Sequence, residues 1–178
     1  MTTVTACEVP EGSLLAQYGG PGDYRDCFVR EVPGEVSLEA YIERFYSSMA
    51  FAPERMILSL VGRAKGWDAS ADAIGALARG DADRFAAWEL IERQPEQILL
   101  LSKDTNTASW LCVSPNDAAV DKTQRSSSSG CEAQAQAEPA GRQTRLLFGS
   151  WVGGIEQSGW RAMLQAHVWY SRVLLGGC

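Results

Sequence analysis

Between residues 24 and 113 the spacing of apolar positions changes twice, from two to three-or-four and back to two. Residues 24–32 place Tyr24, Phe28 and Val32 on one parity and Cys27 and Val29 on the other, the alternation of a strand. Pro33-Gly34 closes it. Ser37 then offers a hydroxyl to the orphan amides of a first helical turn. Leu38, Tyr41, Ile42, Phe45 and Met49 follow at helical spacing as one apolar stripe. Pro53 suits the first turn of a second helix, where its missing N–H costs nothing. Met56, Ile57, Leu60 and Val61 form its predicted buried face, with Gly62 near its end. A third, shorter helix is predicted from Ser70 to Arg79, with Ile74 and Leu77 inward and Gly80 just past its end.

Residues 85–93, 97–103 and 107–113 are short apolar runs separated by Gln94-Pro95-Glu96 and Asp104-Thr105-Asn106, which predicts a three-stranded meander. Pairing Asp104 with Thr107 sets Leu101 opposite Trp110 and Leu99 opposite Cys112. Pairing Glu92 with Gln97 sets Trp88 opposite Leu101 and Leu90 opposite Leu99. Trp88, Leu101 and Trp110 then share one row across the sheet. Residues 144–152 return to strand character before Gly153-Gly154. A final helix over 158–175 carries Trp160, Met163, Leu164, His167, Val168, Ser171, Leu174 and Leu175 on one face. Residues 1–22 read as a loosely ordered lead-in. Residues 117–143, rich in Ser, Ala and Gln with Val120 as the one large aliphatic residue, read as a mobile low-complexity loop. The whole, 1–178, reads as a single domain.

Composition narrows the function. Hydrophobic residues make up 46% of the 178, enough for a substantial core. Sixteen basic against 22 acidic residues give a net charge of -6, which argues against nucleic acid as a partner. The one histidine, His167, excludes sites that need two imidazoles from one chain. Five cysteines form no CxxC pair and read as reduced thiols. No apolar run approaches the roughly 20 residues of a membrane span. Met1–Pro10 has neither the basic nor the apolar region of a secretory signal, so a cytoplasmic protein is expected. No GxSxG elbow, phosphate-binding loop, dinucleotide fingerprint or calcium loop is present, and no metal or cofactor is called for.

Three features carry candidate chemistry. His167 lies on the apolar stripe of the last helix, where an imidazole is either a hydrogen-bonded core group or a ligand contact. Six tryptophans either fill the core or line a cavity. Arg161 and Arg172 on the last helix are solvated, paired, or set to meet an anionic ligand.

The order of strand, helices, antiparallel strands and long C-terminal helix resembles the helix-grip fold of the START-like, or polyketide-cyclase-like (SRPBCC), superfamily. "RFAAWELIERQPEQILLLSKDTNTASWLCV" (84–113) and "TRLLFGSWV…GWRAMLQAHVWYSRVLLGG" (144–177) carry the likeness, which points to a bacterial branch. The resemblance implies an α+β fold, an antiparallel sheet wrapped around the C-terminal helix with a cavity between them. Members bind lipids, hormones or polyketides, and a minority catalyse cyclisation or hydrolysis. On this reading a small apolar molecule is held by Trp88, Leu101, Trp110 and Phe148 from the sheet and by Met163, His167 and Tyr170 from the helix. Two other readings stand beside it. One is a cyclase- or hydrolase-type enzyme with His167 as general base. The other is a ligand-free interaction module in which exposed aromatics such as Trp151 or Trp169 form a homodimer face.

Overall fold

The computed structural model describes residues 3–116, 142–154 and 160–178. The helical signals act where the sequence places them. Ser37 and Ser70 accept hydrogen bonds from the amides of Ala40 and Ala73, opening α2 (Leu38–Ser47) and α4 (Ala71–Arg79). Pro53 sits in the first turn of α3 (Ala52–Lys65), and Gly80 closes α4 in the left-handed conformation that an L side chain resists. A further helix, α1 (Leu14–Gln17), precedes them, and α5 (Trp160–Gly176) ends the chain.

The strands are β1 (Thr5–Ala6), β2 (Tyr24–Pro33), β3 (Arg84–Phe85), β4 (Trp88–Gln94), β5 (Gln97–Ser102), β6 (Thr107–Asn116) and β7 (Gln143–Val152). Among the described residues they form one antiparallel sheet in the order β1-β2-β7-β6-β5-β4-β3. The chain is therefore α+β, with three helices between β2 and β3. The run read as one strand over 85–93 is two, because the chain turns at Ala86, whose φ is 48°.

The register corrects the predicted row of tryptophans. The β5–β6 loop is Lys103–Asn106 and the β4–β5 loop is Pro95-Glu96, so Leu99 faces Trp110 and Gln94 faces Gln97. Those two-residue shifts leave every side chain on its predicted face. A bulge between Leu90 and Glu92 then adds one residue and reverses the parity of the start of β4. Trp88 thus lies opposite Ser102 and shares a face with Leu100, not with Leu101 and Trp110. The two indoles lie on opposite sides of the sheet.

Each side has its own core. On one, Phe28, Leu111, Leu146 and Phe148 pack against Tyr41, Phe45, Leu77 and Leu175 of α2, α4 and α5. On the other, Trp110, Leu99 and Leu147 pack against Leu14 and Leu15 of α1. The lead-in expected to be loose therefore covers the second face. Its Leu14 amide and the Trp110 indole both donate to Oε1 of Gln97, at 3.0 and 2.9 Å. Gly149 makes this contact possible, since a Cβ there would stand 2.4 Å from Leu15 Cδ2 and 2.8 Å from the Asp26 carbonyl. Trp151 is also buried on this side, its indole donating to Asp23 at 3.0 Å, so it provides no dimer face. Trp169 is 66% exposed.

The second helix reverses its prediction. Met56, Ile57, Leu60 and Val61 are exposed, while Leu58 is buried. The stripe turned inward is Glu54, Leu58 and Gly62, four residues apart, and α3 makes only sparse contact with other elements. Met49, expected on the inner stripe of α2, lies beyond the end of that helix and is exposed. α5 lies against β2 and β7, and the Arg30 guanidinium holds its end by donating to the carbonyls of Leu175 and Gly176 at 3.3 and 2.8 Å. The expected mobile loop, 117–143, lies outside the described residues except for Arg142 and Gln143. No helix among the described residues is long and apolar enough to cross a membrane.

Candidate functional site

The inward faces of α2, α3 and α5 do not fully close against the sheet. A cavity of about 480 Å³ remains between them, a size suited to a small organic molecule. Phe45, Tyr46 and Phe51 line it from α2 and the turn that follows, Trp88 and Phe148 from the sheet, and Tyr170 from α5. These rings are mutually braced. Phe45 and Phe148 have centroids 4.8 Å apart, Tyr46 and Phe51 5.1 Å, and Phe51 and Trp88 6.2 Å. Packed aromatics present a large apolar surface with little freedom to collapse inward.

Of the seven residues predicted to hold a ligand, Trp88, Phe148, His167 and Tyr170 meet at this cavity. Leu101 and Trp110 do not, because they keep their shared face on the α1 side while the bulge in β4 carries Trp88 to the other. The Met163 side chain lies outside the described residues.

Two polar points on the wall carry buried ionisable groups. His167, half-buried on α5, brings Nε2 to 3.8 Å from Oδ2 of Asp26 on β2. Asp26 Oδ1 accepts from the Ser150 amide at 3.0 Å, and Oδ2 accepts from the Tyr24 hydroxyl at 3.2 Å. Burial drives both members of this pair towards their neutral forms. It raises the Asp26 carboxyl against the pull of His167 and the Ser150 amide, and lowers His167 against the pull of Asp26. A second polar point joins α3 to α5, where the Tyr170 hydroxyl donates to Oε2 of Glu54 at 2.6 Å. Burial raises the Glu54 carboxyl, opposed by that hydrogen bond, and the same burial with the nearby carboxylate raises the Tyr170 phenol. Trp88 Nε1 and the Tyr46 hydroxyl are buried without a hydrogen-bond partner among the described residues. Unmade hydrogen bonds of this kind cost about 1–3 kcal/mol each.

Asp26 and Glu54 are the site residues the pattern did not single out. Asp26 had a signal: it is the one acid on the parity of Tyr24, Phe28 and Val32, where an ionisable group needs a partner. Glu54 reads in sequence as an ordinary first-turn acid favoured by the helix dipole. No group of three or more His, Cys, Asp or Glu that could hold a metal ion occurs among the described residues. Comparison of the chain with protein-family models, with curated proteins and with solved structures finds no match.

Proposed function

We propose that this chain binds a small, largely apolar molecule in the cavity between the sheet and the C-terminal helix, within a helix-grip architecture. The observation that carries the reading is the cavity itself: about 480 Å³, walled by braced aromatic rings, with His167 and Glu54 as buried ionisable groups beside hydroxyls such as those of Ser109 and Ser171. Removing apolar surface from water supplies the affinity, at about 25 cal/mol per Å². His167 and the unpartnered donors of Trp88 and Tyr46 supply orientation. The strand order supports the helix-grip part, with β2 beside β7 and α5 across that pair. Cys7, Cys27, Cys112 and Cys178 are free thiols, which fits a reducing, cytoplasmic setting.

Nile red, a neutral apolar dye, tests this reading. Its fluorescence should rise saturably at one dye per chain. Ala166→Trp, which places an indole at the cavity wall from an exposed position on α5, should abolish the rise without unfolding the protein. An unchanged titration in that variant would place the dye elsewhere and sink the proposal.

One observation favours a second reading. Asp26 gives His167 the carboxylate neighbour that its own helix does not provide. In a cyclase- or hydrolase-type reaction His167 would take a proton from a bound hydroxyl or water, and Asp26 would stabilise the imidazolium. Turnover of p-nitrophenyl esters, lost in both His167→Gln and Asp26→Asn while Nile red still binds, would move the assignment to this reading.

A further inference from the structure

The charge around the cavity is one-sided. Among the described residues no Lys or Arg lines it, whereas Glu54 and Asp104 do. Asp104 is already matched, with its carboxylate 2.5 Å from Lys65 Nζ at the rim. Glu54 is matched by no cation among the described residues. Its Oε2 takes the Tyr170 hydroxyl, and its Oε1 has no hydrogen bond among the described residues. Arg55 is next in sequence but turns away, donating to the Tyr46 carbonyl at 2.9 Å. The other groups close to Glu54 are two phenols, Tyr46 and Tyr170, whose own ionisation its charge opposes. A carboxyl in this position has lost hydration and gained one hydrogen bond, an incomplete exchange.

Resting on the reading that the cavity binds a small apolar molecule, we propose that this molecule is an amine: an apolar body among the aromatic rings and a protonated amino group against Glu54. An ammonium supplies the donors that Oε1 lacks and the charge that the site lacks. The surrounding rings favour it further, because their faces attract cations. An anionic head group would meet Glu54 with no basic residue among the described residues of the cavity wall to offset it, and a neutral one would leave the carboxylate without a cation. Burial raises the Glu54 carboxyl in the free protein, and an ammonium placed beside it would act in the opposite direction. The chain's net charge of -6 draws cations towards it in the same sense.

Calorimetric titration with three molecules of one shape tests the proposal: 4-phenylbutylamine, 4-phenylbutan-1-ol and 4-phenylbutanoate. The alcohol reports whether the cavity takes an apolar body at all, and the ratio of amine to alcohol reports the role of Glu54. The wild type should bind the amine at least about tenfold more tightly than the alcohol, the worth of one charge-assisted contact. It should bind the carboxylate more weakly than either. Glu54→Gln, which keeps an acceptor for Tyr170, should erase the amine's advantage and leave the alcohol within about twofold. Tyr170→Phe, which breaks the hydrogen bond but keeps the carboxylate, should preserve the advantage. Equal affinities of amine and alcohol in the wild type, or an advantage that survives in Glu54→Gln, would overturn the amine assignment and leave cavity binding standing. Failure of both the alcohol and Nile red to bind would overturn the two together.

Discussion

At the scale of single residues, the pair formed by His167 and Asp26 sets the pH behaviour of the site. Burial holds His167 below its ordinary value of 6.5. As pH falls through that value the unfolded chain takes up a proton that the folded chain refuses, so this group's contribution favours the unfolded state progressively. Asp26 works in the opposite sense. Its folded value is raised above 3.8, so its contribution to stability falls as pH rises from there. The Asp26 charge is what opposes the lowering of His167, so Asp26→Asn should drop the imidazole further. An NMR titration of the single histidine in both proteins reads the two values, and a rise in the variant would show that the Asp26 charge does not hold the imidazole up. The thiols form a second test. Burial pushes Cys112 up to about 11 and Cys178 up to about 12. Alkylation by iodoacetamide at pH 8 should therefore be slow at both in the native state and fast after denaturation, and equal rates before and after would contradict their burial. The position of His167 was legible because one helical stripe places it. Its partner was not, because Asp26 lies on another strand and only the folded register brings the two within 3.8 Å.

At the scale of elements, alternation assigns residues to faces correctly until a bulge intervenes. Leu99, Trp110 and Cys112 keep the shared face that the pattern gives them, whereas the extra residue in β4 carries Trp88 to the other side. Nothing in "WELIERQ" marks that bulge: it contains no glycine or proline, and its apolar residues suit either parity. The correction has measurable consequences. Trp110→Ala, in a fully buried site on the α1 side, should cost about 3–5 kcal/mol in denaturant unfolding and leave Nile red binding intact. Trp88→Ala should cost less and weaken dye binding. The reverse pattern would restore the predicted row. The stripe on α3 misleads for a different reason. A run of apolar residues at helical spacing says that a face is apolar, not that the fold covers it. Glu54, Leu58 and Gly62 face inward because the cavity wall takes a carboxylate and a close approach to Trp67, where a Cβ on Gly62 would lie 3.0 Å from the Trp67 carbonyl oxygen. Met56→Gln and Leu60→Gln should therefore each change stability by less than about 0.5 kcal/mol. A loss of 2 kcal/mol or so, typical of truncation in a core, would mean that α3 is seated differently.

At the scale of the whole molecule, the fold class was legible because each change of period marks a change of element. The order of the sheet was not, because it depends on β7 entering between β2 and β6, a pairing between positions more than 100 residues apart in the case of Phe28 and Phe148. The pairing of β7 with β6 also brings together the two ends of the stretch between them, since Asn116 lies directly opposite Gln143. Replacing residues 118–141 with a short Gly/Ser turn should thus leave stability within about 1–2 kcal/mol, because closure entropy varies slowly with loop length. Loss of cooperative unfolding would show that the replaced segment carries structure the fold needs. The central claim is that the cavity on the helical face of the sheet is the binding site. Its most direct measurement is an NMR titration of the tryptophan indole and His167 imidazole resonances with 4-phenylbutan-1-ol. Trp88 and His167, on the cavity wall, should shift together and saturate together, while Trp110, behind the sheet, stays where it is. Shifts at Trp110 with Trp88 and His167 unmoved, or no shift at any of the three at saturating alcohol, would contradict the account.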